Sequence, residues 1–92
     1  MKVTFGATEF ETLKAEELTR HEYERALWVN DTLSRFLEGL GTGISNAIYL
    51  NVEHEVEIVR VYYKGGGHRD VNITMDSKAA IVEDIYNQRA IY

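Results

Sequence analysis

Two apolar alternating runs face each other across three consecutive glycines, and that symmetry limits what the chain can fold into. Val59 and Val61 mirror Ile73 and Val71 about Gly65-Gly66-Gly67. A hairpin closed there puts Val61 opposite Val71 and Val59 opposite Ile73 on one side of a sheet. Pairs of that kind fix register, because a slip of one residue would turn every member to water. A helix pattern follows directly and is expected to cover that apolar side.

The longest local signal begins at Thr19. Thr19-Arg20-His21-Glu22 fits a capping box, with Leu18 and Tyr23 at the hydrophobic-staple positions. Apolar residues then recur at Ala26, Val29, Leu33, Phe36, Leu37 and Leu40, widened by Leu27 and Trp28. Steps of three and four define one buried stripe. The spacing predicts a helix over 19–40, roughly 30 Å long. Gly41 is the expected left-handed stop, and Gly39, Gly41 and Gly43 make a corner. This glycine run ends a helix and opens a strand, the reverse of a dinucleotide-binding fingerprint.

Over 47–52, Ile48, Leu50 and Val52 share one parity, and Ala47, Tyr49 and Asn51 share the other. The first set is expected inside. Glu53-His54-Glu55 forms the turn. The strand over 56–64 has a conflict of phase: Val56 and Ile58 lie on one parity, Val59, Val61 and Tyr63 on the other. Either a bulge near Ile58-Val59 or burial on both faces reconciles them. The strand over 69–75 places Val71, Ile73 and Met75 inward. Asp76 or Ser77 then caps a helix over 77–90, with Ala79, Val82, Tyr86 and Ala90 as its apolar positions, widened by Ile81 and Ile85. Residues 1–18 are expected as a strand or arm, with a candidate short strand over Lys2–Phe5 and either a short helical turn or an ordered arm over 8–18.

The expected fold is therefore α+β, one domain over 1–92. It is a three-stranded antiparallel meander with a long helix before it and a C-terminal helix after it, both on one face. A fourth short N-terminal strand is an option. The other face is left to solvent or to a partner.

Ninety-two residues suffice for one core. There is no cysteine, so disulfides, thiolate nucleophiles and cysteine zinc sites are excluded. No apolar run reaches the roughly 18 residues that a membrane span needs, and no signal-type run opens the chain, so a cytoplasmic location is expected. The net charge is −5, with ten scattered basic residues. Direct nucleic-acid binding is thus a poor expectation.

Catalytic motifs are equally scarce. The three histidines, His21, His54 and His68, show no metal-ligand spacing. In a strand His54 would face away from Glu53, Glu55 and Glu57. His68-Arg69-Asp70 matches three letters of a kinase catalytic loop without the remainder. The serines lack nucleophile-elbow context. No cofactor or metal is expected, and the protein is expected not to be an enzyme.

Two surface features remain. Glu53, Glu55 and Glu57 are expected to line one edge with Asp70 nearby, an acidic patch suited to a basic groove on another protein. Tyr49 and Tyr62 are expected on the face opposite the helices beside Arg60 and Lys64, where Tyr and Arg favour interfaces.

From the glycine turn, the run Val71-Asn72-Ile73-Thr74-Met75-Asp76-Ser77 into Ala80-Ile81-Val82-Glu83-Asp84-Ile85 resembles small acidic phage-encoded α/β proteins of the type II-A anti-CRISPR kind. The resemblance is one of pattern over the last half of the chain. It implies a phage or mobile-element inhibitor that occupies the nucleic-acid-binding surface of a CRISPR nuclease, with carboxylates standing in for phosphates. The pattern carries no individual functional residue across; Glu53, Glu55, Glu57 and Asp70, from the acidic edge, are the candidates for such contacts. The alternative is a homo-oligomeric accessory protein, with a homodimer through the open face or a strand edge. A small ligand-binding domain or enzyme ranks third.

Overall fold

The computed structural model describes residues 2–5, 7–41 and 43–90, with side chains of the last helix through Asn87. The fold is α+β, with ten elements in order. Strands β1 (Lys2–Phe5) and β2 (Thr8–Glu11) form a small hairpin. A 3-10 turn spans Ala15–Glu17. The long helical run comprises α1 (Arg20–Leu27), a wider π-helical segment (Trp28–Leu33) and α2 (Ser34–Gly39). Strands β3 (Ile44–Val52), β4 (Val56–Tyr63) and β5 (His68–Asn72) make an antiparallel sheet in the order β3-β4-β5, and α3 (Lys78–Ala90) closes the chain.

The capping box forms as expected. The Thr19 N–H donates to Glu22 Oε1 at 2.8 Å, and the Glu22 N–H donates to Thr19 Oγ1 at 3.2 Å. Ser77 caps α3 through the Ala80 N–H. Gly41 takes the left-handed conformation after Leu40, with φ 65°.

The triple-glycine reversal joins β4 to β5, with the Tyr63 N–H donating to the Gly67 carbonyl at 3.2 Å. The register is two residues from the expected one. Val59 pairs with Val71 and Val61 with Arg69, while the Ile73 N–H meets the Glu57 carbonyl. A shift of two keeps every side chain on its face, so the apolar layer survives.

Which residues face the helices is a correction. The layer beneath α1, α2 and α3 holds Ala47, Tyr49, Val59, Val61, Val71 and Ile73, with Val29, Leu33, Leu37, Ile81 and Ile85 from the helices. Ile48, Leu50 and Val52 lie on the other face. That face is not open: Val3, Phe5 and Phe10 of the β1–β2 hairpin cover it, forming a second cluster with Ile58 and Val56. The segment 8–11 is thus a strand, and the helical turn expected within 8–18 is confined to the 3-10 turn at Ala15–Glu17. The phase conflict in β4 resolves as burial on both faces, and the irregularity of register sits instead in β3 between Ile44 and Asn46. Two amphipathic layers explain both results, because a sheet covered on each side is apolar on each parity.

Further expectations shift at element ends. Phe36 and Leu40 are half-exposed, at 51% and 48%. The π-helical segment adds residues to its turn and rotates the stripe after Leu33, so Leu37 alone continues it inward. Met75 lies beyond β5 with φ 64° and is 94% exposed rather than inside. On α3 the buried positions are Ile81 and Ile85, whereas Ala79 and Tyr86 are exposed. The larger isoleucines take the core because they remove more apolar surface from water. Ala90 falls outside the described side chains.

Strand β3 lies at a sheet edge, and its outward polar groups are covered. The Ala47 N–H donates to Ser34 Oγ at 3.0 Å, the Tyr49 N–H donates to Asn30 Oδ1 at 2.8 Å, and the Asn51 carbonyl accepts from the Leu13 N–H at 2.8 Å. The π-helical segment and the start of α2 thus close an edge that would otherwise invite pairing.

Candidate polar groove and acidic end

Where α1 meets the ends of β3 and β4, polar side chains enter the helix-side layer as one connected network. Arg25 sits at 8% exposure on the inward side of α1. Its Nε donates to Glu57 Oε2 at 2.8 Å, one terminal nitrogen donates to the Asp76 carbonyl at 2.7 Å, and the other donates to the Ile73 carbonyl at 3.2 Å. The Tyr49 hydroxyl donates to the same Glu57 oxygen, and Asn51 Nδ2 donates to the Tyr49 hydroxyl at 2.9 Å. Burial and the neighbouring Glu57 carboxylate push the Tyr49 phenol well above its ordinary range, so it stays neutral, giving its hydrogen to Glu57 while accepting one from Asn51.

Glu22 extends the network. Its Oε1 accepts from Thr19 and lies 2.7 Å from His54 Nδ1. Burial pushes the carboxyl up, but hydrogen bonds from the Thr19 backbone, His54 and Asn51 outweigh it and hold Glu22 below its ordinary value. An ionised carboxylate has no proton to give, so His54 Nδ1 carries the hydrogen.

His54 reaches this partner from a strained turn. Glu53 and His54 have φ of 53° and 65°, and the Glu55 N–H donates to the Val52 carbonyl at 2.9 Å. Two successive left-handed residues thus sit in the three-residue reversal between the paired Val52 and Val56, a conformation that Asn and Gly adopt most readily. Here the Asn51 side chain accepts from the His54 N–H at 2.8 Å and steadies it. Together with Met75, these are the three non-glycine residues of positive φ among the described residues. His54 and Met75 both line a groove of about 760 Å³ with Glu22, Arg25, Glu57 and Asp76.

The second feature adjoins it. Glu9 and Glu11 of β2 and Glu53 and Glu55 of the turn line a cleft of about 570 Å³ at one end of the molecule, with Lys2 the basic residue in its wall. Lys2 Nζ is 3.7 Å from Glu9. Glu55 borders both hollows.

The residues singled out from sequence separate accordingly. Glu53 and Glu55 are exposed on the turn. Glu57 is held by Arg25, Tyr49 and the groove. Asp70 is not near them: it forms a two-bonded pair with Arg60 on the hairpin side, at 2.7 and 2.9 Å. That pair, with side chains 9% exposed, keeps the guanidinium charged, and Arg60 also donates to the Thr4 carbonyl at 3.1 Å. Tyr49 is a correction, buried beneath the helices rather than on the outer face, because Asn51 and Glu57 give its hydroxyl a polar setting inside. Tyr62 does lie opposite the helices, half-buried, with its ring 5.8 Å from that of His68. The residues not foreseen are Glu22, Arg25, Asn51, His54 and Asp76. One signal was available: Glu22 and Arg25 fall on the same helical face as Ala26 and Val29, and a charge within an apolar stripe asks for a buried partner.

Among the described residues no three His, Cys, Asp or Glu side chains are grouped to hold a metal ion, and no helix is long and apolar enough to cross a membrane. Comparisons with protein-family models, curated proteins and solved structures found no match.

Proposed function

We propose that this chain is a non-enzymatic protein-binding module that sets carboxylates on a basic, nucleic-acid-binding surface of another protein. The observation that supports this reading is the gathering of Glu9, Glu11, Glu53 and Glu55 around one cleft. Their elements lie far apart in the sequence, β2 near its start and the turn near its middle, and the turn that carries two of them holds a costly backbone conformation. Four carboxylates at one end of a chain of net charge −5 would steer toward a basic groove and mimic a row of phosphates. Glu53 and Glu55 remain candidates for the phosphate-mimicking contacts that type II-A anti-CRISPR proteins make as a group. Glu9 and Glu11 replace Glu57 and Asp70, which are already paired internally. The reading places the protein in a host cytosol as a phage or mobile-element inhibitor.

The test is DNA cleavage by a guide-loaded type II-A CRISPR nuclease with and without the protein. Inhibition that fades as salt rises, and is relieved by replacing the four glutamates with glutamine, supports the reading. Uninhibited cleavage at low salt with no detectable binding to the nuclease removes it.

A second reading, a homodimer, has one observation in its favour. The register turns the backbone groups of His68, Asp70 and Asn72 away from β4, on an edge that no other strand among the described residues covers. Antiparallel pairing of that edge with a second copy would continue the sheet. Light scattering that shows a monomer at millimolar concentration excludes it.

A further inference from the structure

We infer that His54 is the positioning residue of the acidic end: its side-chain bond to Glu22 holds the turn between β3 and β4, so that Glu53 and Glu55 keep their places in the cleft wall. This role rests on the carboxylate surface proposed above and adds the device that fixes two of its four members.

The turn is costly as built. Glu53 and His54 take φ of 53° and 65°, which a residue with a Cβ adopts only against its own preference. Two backbone bonds steady it. The His54 N–H donates to Asn51 Oδ1 at 2.8 Å, and the Glu55 N–H donates to the Val52 carbonyl at 2.9 Å. Both acceptors belong to the end of β3, so neither bond ties the turn to another element.

The His54 ring supplies that tie. Its Nδ1 lies 2.7 Å from Glu22 Oε1, a residue 32 positions earlier on α1. Glu22 is a fixed point. It is 9% exposed, the same oxygen accepts the Thr19 N–H at 2.8 Å, and its own N–H donates to Thr19 Oγ1. The capping box of α1 and the turn therefore hang from one carboxylate oxygen. An N–H given to an ionised carboxylate is stronger than a neutral hydrogen bond, and the sheltered carboxylate limits competition from water. Without it the turn would pivot on the two strand ends. Glu53 lines the acidic cleft, and Glu55 borders both the cleft and the groove, so both carboxylates would move with the pivot. Side chains already held in place lose less freedom when a partner binds.

The experiment compares the full chain as wild type, His54→Asn and His54→Asp. The two substitutes match in size, and both tolerate a left-handed φ. Asparagine carries an N–H on the atom next to Cγ, as histidine does at Nδ1. An ionised aspartate has no hydrogen to give and meets Glu22 as a like charge. The first readout needs no partner. Backbone order parameters from NMR relaxation at Glu53 and Glu55 should stay at about 0.85 in wild type and His54→Asn, and fall below about 0.6 in His54→Asp. The second readout is inhibition of the guide-loaded type II-A nuclease. His54→Asp adds a carboxylate to the acidic end, so charge alone would tighten binding. Loss of placement should instead weaken it about tenfold, and His54→Asn should restore it. Glu53 and Glu55 as ordered in His54→Asp as in wild type would overturn the inference, whatever the nuclease does. Disorder of the turn in His54→Asn would overturn it too, since the donor is kept. So would inhibition by His54→Asp equal to or stronger than that of wild type. A turn loosened in His54→Asp alone, beside a wild type that neither binds nor inhibits the nuclease, upholds the tie and removes the proposed function instead.

Discussion

Arg25 links three parts of the fold from one buried position. It joins α1 to β4 through Glu57 and to the segment before α3 through two backbone carbonyls. A buried ion pair gives little net stability against a well-packed apolar substitute, but removing one partner leaves the other charge stranded. Arg25→Met should therefore cost about 3–5 kcal/mol in urea unfolding, since Glu57 is left ionised beneath the helix with one donor. Adding Glu57→Gln to that variant should recover part of the loss. Glu22 adds a pH dependence to the same region. Its folded value lies below the ordinary 4.5, so its stabilisation is present above that value and is lost as pH falls through the folded one. Acid unfolding of Glu22→Gln should accordingly show a shallower slope below about pH 4.5 than wild type, measured by circular dichroism on the same protein concentrations.

At the scale of elements, the turn between β3 and β4 trades stability for the placement of its side chains. A left-handed conformation costs a residue with a Cβ roughly 1 kcal/mol, and Glu53 and His54 both adopt it. His54 has Glu22 as compensation; Glu53 is exposed. Glu53→Asn should stabilise the fold by about 1 kcal/mol in thermal melts, since asparagine accepts φ > 0 more readily. If the proposed function holds, the same change should weaken partner binding. Elements of this kind were only partly legible. The Thr19 cap, the Gly41 stop and the triple-glycine reversal are local chemistry, and local chemistry reads directly from sequence. Glu53-His54 is an unfamiliar pair for two left-handed positions, and only the alternation on either side betrayed the turn. Alternation also reports parity without saying which parity meets the helices. Ile48, Leu50 and Val52 looked like the core side because they are apolar; Tyr49, Asn51 and Glu57 looked like the wet side because their partners, Glu22 and Arg25, lie some thirty positions away.

The whole molecule is a sheet between two unequal covers, and the smaller cover fixes more than its eleven or so residues suggest. Val3 is 2% exposed and Ile58 0%, with Leu50 and Val52 nearly as dry. Those three sheet residues sit on strands whose other face is the helix-side core, so the two layers share one backbone. Arg60 ties them further by holding both Asp70 and the Thr4 carbonyl. A hairpin of two four-residue strands has little stability of its own; it persists because the sheet needs the cover. Val3→Asp tests that dependence. An aspartate there meets apolar neighbours without a donor, so the hairpin must lift away or the carboxyl must stay protonated. Once the hairpin lifts, Leu50, Val52 and Ile58 face water on a sheet that has no second layer to replace it. If the domain is one cooperative unit, unfolding should remain a single transition, shifted to lower urea by roughly 3 kcal/mol, with fluorescent-dye binding to exposed apolar surface near its midpoint. Two separate transitions, the first leaving amide protection in β4 and α3 intact, would instead show that the helix-side layer stands alone. The hairpin, and the Glu9 and Glu11 it carries, would then be an attachment rather than a structural half.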